Sequence, residues 1–115
     1  MAQAIIGGTH VFTALFLDAT NTPVAITSPT VEVLTFDGNG TKVPLVVAGT
    51  AMIIVPSEVG RYQYTYQIPA TLTRGTTLYA VMQGLDGVDI LLVEEQVDLI
   101  SEGDAGPGLV AHFVR

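Results

Sequence analysis

Cysteine is absent from the 115 residues, which excludes disulfide staples, thiolate metal sites and cysteine nucleophiles. Tryptophan is absent as well. Charge is scarce: 13% of the residues are charged, against about a quarter in an average soluble domain. Bases are scarcest, with 4 Lys and Arg against 11 Asp and Glu and a net charge of −7. A chain of that sign does not track a phosphate backbone, so no nucleic-acid partner is expected. No run approaches the roughly 20 apolar residues of a membrane helix. The opening Met1-Ala-Gln-Ala-Ile-Ile-Gly-Gly8 lacks the basic start and unbroken apolar stretch of an export signal. The expectation is a protein made in the cytoplasm, without a membrane partner.

What is present is threonine, valine and a period of two. Fourteen threonines stand against three serines, and both Thr and Val favour pleated backbone. In Arg61-Tyr-Gln-Tyr-Thr-Tyr-Gln-Ile68, Tyr62, Tyr64, Tyr66 and Ile68 point one way while Gln63, Thr65 and Gln67 point the other. That is a strand with one buried and one wet face. Pro69 ends it, having no N–H for a ladder. Further strands are read over 9–17, 31–36, 42–47, 51–55, 76–83 and 90–100. Asp37-Gly-Asn-Gly40 supplies a hairpin turn, expected as type I′, and Leu85-Asp-Gly87 supplies another. Pro23 and Pro29 bracket an irregular stretch read as an edge or a crossing between sheets. No segment carries an apolar stripe at helical spacing. One all-β domain follows over residues 9–100, about seven short strands arranged as a sandwich or a barrel.

The ends read differently. Residues 1–8 are small and are expected as a flexible N-terminal arm. Residues 101–108 have turn composition and act as a hinge before the β-prone Leu109-Val-Ala-His-Phe-Val-Arg115. That tail can close its own sheet or add a strand to a neighbour's edge. Extended, residues 101–115 reach roughly 50 Å. The candidate interface residues are Ile5, Ile6, Leu109, Val110, His112, Phe113, Val114 and Arg115.

Catalytic and ligand-binding patterns are weak. Ser28, Ser57 and Ser101 lie outside any G-x-S-x-G context, and only His10 and His112 are available as bases. Glu94 and Glu95 are adjacent and so face opposite sides of one strand, unlike the facing carboxylates of a glycosidase. Asp37, Asn39, Asp86, Asp89, Glu102 and Asp104 are acidic or amide turn residues without the EF-hand spacing; a loop calcium on Asp86 and Asp89 is the one metal site they suggest, and turn chemistry explains them without it. The glycines match neither nucleotide fingerprint. No catalytic residue, cofactor or metal is expected. Tyr62, Tyr64, Tyr66 and Tyr79 suggest either a core face or a sugar platform.

Val11-Phe-Thr-Ala-Leu-Phe-Leu-Asp18 with its Pro-containing turn resembles the first strand of immunoglobulin-like modules. Gly60-Arg-Tyr-Gln-Tyr-Thr-Tyr66, then Leu78-Tyr-Ala-Val81 and Glu94-Glu-Gln-Val-Asp98, resemble their central and last strands. Antibody-type domains differ in carrying a Cys pair and a buried Trp. Small acidic modules of this kind are similar to structural proteins of tailed-bacteriophage virions. The resemblance implies an all-β, immunoglobulin-like β-sandwich of seven or eight antiparallel strands with flexible ends, and a non-enzymatic virion protein, a capsid decoration or cement subunit. Its partners would be other virion proteins, chiefly the major capsid protein, and further copies of itself. A tail, neck or baseplate subunit is the alternative in the same setting, and a glycan-binding adhesin module the alternative outside it.

Overall fold

Alternating side chains give every strand one apolar face, and two such faces closing on each other make the molecule. The computed structural model describes residues 2–101. Its strands are β1 (Ala2–Ile5), β2 (Thr9–Leu15), β3 (Thr27–Phe36), β4 (Lys42–Ala51), β5 (Ile53–Ile54), β6 (Arg61–Gln67), β7 (Thr77–Asp86) and β8 (Asp89–Ile100). A five-stranded sheet runs β1-β8-β7-β3-β4 and a three-stranded sheet runs β2-β6-β5. Reading β2 to β8 as strands B, C, C′, D, E, F and G gives sheets in the orders G-F-C-C′ and B-E-D, those of an immunoglobulin-like sandwich. The all-β sandwich expected from the sequence is therefore the fold.

The core lies between the sheets. From the narrow sheet and its extension come Phe12, Ala14, Phe16, Tyr62, Tyr66 and Ile68; from the wide sheet come Val31, Val33, Leu78, Ala80, Met82, Val97 and Leu99. Antibody domains join strands B and F by a disulfide. Here β2 and β7 contribute only apolar side chains to the core.

Two expectations are corrected. Residues 2–5 are not a free arm: they form β1, parallel to β8, with Ala2 opposite Val97 and Ile5 opposite Ile100. Ala4 is buried in the core, and the Ile6 N–H donates to the Ile100 carbonyl at 3.0 Å. One strand pair is thus parallel in a sandwich expected to be wholly antiparallel. The 37–40 turn is not type I′. Only Gly40 among its residues has positive φ, at 81°, and the Gly40 N–H donates to the Asp37 carbonyl at 3.0 Å. That is a type I turn followed by a left-handed bulge residue. The Asp37 carboxylate selects it by accepting from the Asn39 and Thr41 N–H groups at 2.8 and 2.9 Å.

Beyond the short 6–8 link from β1 to β2, the chain crosses between the sheets at three places: residues 16–26 carry it from β2 to β3, Met52 from β4 to β5, and residues 68–76 from β6 to β7. The first crossing is held by Gly60. The Phe16 N–H donates to the Gly60 carbonyl at 2.9 Å, and the Val24 N–H to the Phe16 carbonyl at 3.0 Å. A Cβ on Gly60 would lie 2.9 Å from the Phe16 oxygen and 3.0 Å from the Val24 nitrogen. In the loop itself, Asp18 Oδ1 accepts from Thr20 Oγ1 at 2.7 Å and from the Thr20 and Thr22 N–H groups at 2.8 and 3.1 Å. The Thr20 hydroxyl, then the Thr22 and Thr20 amides, hold the Asp18 carboxyl below its ordinary range.

Gly40 and Gly60 share a φ of 81°, but Gly40 has nothing within 4 Å of its absent Cβ. Gly40→Ala is expected to cost about 1 kcal/mol, the left-handed strain alone, and Gly60→Ala about 3 kcal/mol, because backbone must also move. Urea denaturation of both variants checks the difference, and equal losses would mean that the Gly60 crossing is not tightly packed. The lowered Asp18 carboxyl makes a stabilising contribution that is complete above about pH 4, the ordinary aspartate value, and is lost as pH falls through the folded value. An NMR titration should place Asp18 below the ordinary aspartate value, and Thr20→Val should raise it.

Candidate interaction surfaces

The tyrosine strand turns inward. Tyr62 and Tyr66 are buried and Tyr64 is half-buried against the core, so β6 offers no flat aromatic platform. The Tyr62 hydroxyl accepts from the Ile26 N–H at 3.0 Å and donates to the Ile26 carbonyl at 3.3 Å. It thereby pins the first crossing to the core. Burial, with a smaller push from Tyr64, raises the Tyr66 hydroxyl above its ordinary pKa. Tyr79 stands apart on the outer face of the wide sheet, where its ring meets Phe36 edge-to-face at 5.4 Å.

The polar constellations are few. His10 on β2 and Glu95 on β8 both have inward parity, and His10 Nε2 meets Glu95 Oε2 at 3.0 Å. Eighty-five residues apart in the chain, they clasp the two sheets along the side where β2 and β8 lie. His10 also rests edge-on against Phe12, with ring centres 4.7 Å apart. Ser28 and Ser57 sit in left-handed backbone, with φ of 54° and 67°. Neither is bonded to His10, whose partner is Glu95. Asp86 and Asp89 are a cross-strand pair flanking the Gly87-Val88 turn. Among the described residues no three His, Asp or Glu side chains gather as a metal site. Ile5 and Ile6, expected as arm contacts, are half-buried in the sheet and its turn. Glu102, Asp104 and the candidates Leu109, Val110, His112, Phe113, Val114 and Arg115 lie outside the described residues.

The surface is uneven along the strand axis. One end carries the polar 37–40 hairpin and a shallow cleft of about 430 Å³ between that hairpin and the 74–77 segment. The other end gathers apolar side chains. Val88 at the β7–β8 turn is 94% exposed, Ile90 68% and Val59 63%. Leu17, Ile54, Leu85 and Leu92 are also exposed there. Register explains the gathering: Leu85 pairs with both Ile90 and Thr27, Ile54 pairs with Tyr62, and the Ile26 next to Thr27 bonds that same tyrosine. Ile26 also fills the inner space that Gly84 leaves in β7. A cleft of about 300 Å³ between Ser28, Thr30, Gln83, Leu85 and Ile90 opens at this end.

Charge is uneven too. Residues 86–98 hold Asp86, Asp89, Glu94, Glu95 and Asp98 and no Lys or Arg. Elsewhere charges pair locally: Lys42 Nζ meets Glu32 Oε2 at 2.6 Å across the outer face of the wide sheet, and Arg61 Nε meets Glu58 Oε1 at 3.0 Å. The apolar end was not legible from the sequence, because Leu17, Ile54, Val59 and Ile90 are brought together only by the topology. Comparison with protein-family models and with the curated proteins found no match to this chain.

Tyr66→Ala is expected to lose about 3–5 kcal/mol of folding stability, as a large core truncation does. Tyr62→Phe should lose about 1–3 kcal/mol by stranding the Ile26 N–H and carbonyl. Chemical denaturation measures both, and a stable, fully folded Tyr66→Ala protein would return the tyrosines to a surface role.

Proposed function

We propose that this protein is a non-enzymatic structural component of a tailed-phage virion, a decoration or cement subunit docking on the coat lattice. The observation that carries the reading is the apolar end built by Val88, Ile90, Leu85, Ile54 and Val59. A patch of this kind on a small domain marks a surface that meets another protein. The rest of the chain suits such a role. Net charge of −7 keeps the free subunit soluble until it docks. The side chains of chemical interest are spent on structure: His10 and Glu95 on a sheet clasp, the tyrosines on the core, Asp18 and Asp37 on turns. The partner class is a major capsid protein, with neighbouring copies of the same chain meeting on the lattice.

In particles purified from the phage that encodes this chain, quantitative mass spectrometry should count hundreds of copies each. A few copies, or a single ring, would move it to the tail or neck, and absence from particles would end the virion reading. Val88→Lys with Ile90→Lys should leave the fold intact and reduce occupancy on particles at least tenfold, since two charges would be buried unpaired at the contact.

A further inference from the structure

The strand β8 is paired with β7 from Asp86–Asp89 to Thr77–Asp98. On its other side β1 covers only Val97 to Ile100. Among the described residues, no strand pairs with Asp89–Gln96 on that flank. Every second residue of this stretch turns its N–H and C=O away from β7, so four donors and four acceptors line an open edge, the kind of edge that templates an added strand. The flank is apolar on both faces. Ile90 and Leu92 stand exposed on the outer face, while Leu91 and Val93 are half-buried against the core. It is also acidic, with Asp86, Asp89, Glu94 and Glu95 along or beside it and no base between residues 75 and 101.

We propose that the Asp89–Gln96 flank of β8 accepts residues 109–115 of a second copy as an added strand. The proposal rests on the assembly reading above in supposing that copies meet. Three features select this occupant. Leu109-Val-Ala-His-Phe-Val-Arg115 is apolar at alternate positions on both faces, matching a flank that is apolar on both. It carries His112 and Arg115 and no acid, so it complements the acidic edge. By contrast, two β8 flanks laid together would gather Asp89, Glu94 and Glu95 of both copies along one short ladder with no base among them, which disfavours homotypic edge pairing. The occupant comes from another copy because of where the chain leaves β8. It departs after Ile100, at the end of the strand remote from Asp89, and β1 fills the flank in between. The segment's own chain would have to carry it around β1; a neighbour's segment meets the flank directly.

The absence of cysteine makes the test clean. Full-length Leu92→Cys and Phe113→Cys proteins, distinguishably tagged, are mixed at high concentration and oxidised. The expected product is a mixed disulfide dimer, at least tenfold more abundant than that of Phe113→Cys with Val47→Cys, an exposed position on β4 at the opposite edge of the sheet. Ile90→Lys should weaken self-association at least tenfold by light scattering. A Leu92→Cys/Phe113→Cys double variant that closes within one chain at high dilution, while separate copies give no mixed dimer, would overturn the exchange between copies. Equal coupling of Phe113→Cys to positions 92 and 47 would overturn the acceptor site. If cross-links fail while particle occupancy still depends on Val88 and Ile90, the strand proposal falls and the assembly reading stands.

Discussion

Unequal width is the constraint on which the structure turns. Three strands at about 4.8 Å spacing cover roughly 14 Å, and five cover roughly 24 Å. The narrow sheet β2-β6-β5 can therefore shield only part of the wide one: β7, β3 and the Val97–Leu99 end of β8, where Leu78, Ala80, Met82, Val31, Val33, Val97 and Leu99 are fully buried. Both flanks overhang. On one, β4 buries Val46 alone and leaves Val43 and Val47 exposed. Its pairing with β3 slips twice, around Val33, and that irregularity accommodates Pro44 in a strand. On the other flank Leu91 and Val93 are half-buried, and Glu95 can sit with inward parity because His10 reaches it there. A carboxylate at the same position in the covered middle would be buried without water or partner, at a cost of several kcal/mol.

The same geometry explains why the crossings matter. A chain that alternates between sheets must leave each ladder with its backbone groups satisfied. At the first crossing Gly60, Phe16, Val24 and Ile26 exchange backbone bonds with one another and with the Tyr62 hydroxyl. Gly60 is required there because neighbouring backbone fills the place of a side chain, whereas Gly40 answers only to its φ. Tyr62 thus does two jobs: its ring packs against Phe16, with centres 5.8 Å apart, and its hydroxyl serves the crossing. A tyrosine strand that looks on paper like a binding surface is the fastening between the sheets.

Local signals were legible and distant ones were not. The β6 alternation, the β7–β8 hairpin and the 37–40 turn each declare themselves within ten residues, because period two and Asn-Gly or Asp-Gly chemistry act locally. The turn type escaped, since it depends on which amides the Asp37 carboxylate captures. The strand β1 escaped because Ala-Gln-Ala-Ile has no pattern of its own and its partner lies 95 residues on, at Val97. The extension of β4 through Ala48-Gly-Thr50 escaped because Ala48 and Gly49 have little β preference; neighbouring β3 imposes it. Of the interaction surface, the separate apolar residues were visible, but their gathering at one end follows from register across three loops and two sheets.

The β8 flank shows how composition and topology combine into selectivity. An apolar open edge on a chain with few charges invites indiscriminate strand pairing, and lysine is the common guard against it. This chain has no lysine there; it has four acids at and beside the flank. Acids guard differently from bases in a protein whose net charge is already −7. They repel every other acidic surface of the same molecule, including a second β8, and leave only segments that are apolar and free of acid. Scarcity of charge thus does not make the edge permissive. It makes the few charges present decisive, because with 13% charged residues little else on the surface competes with them in choosing a partner.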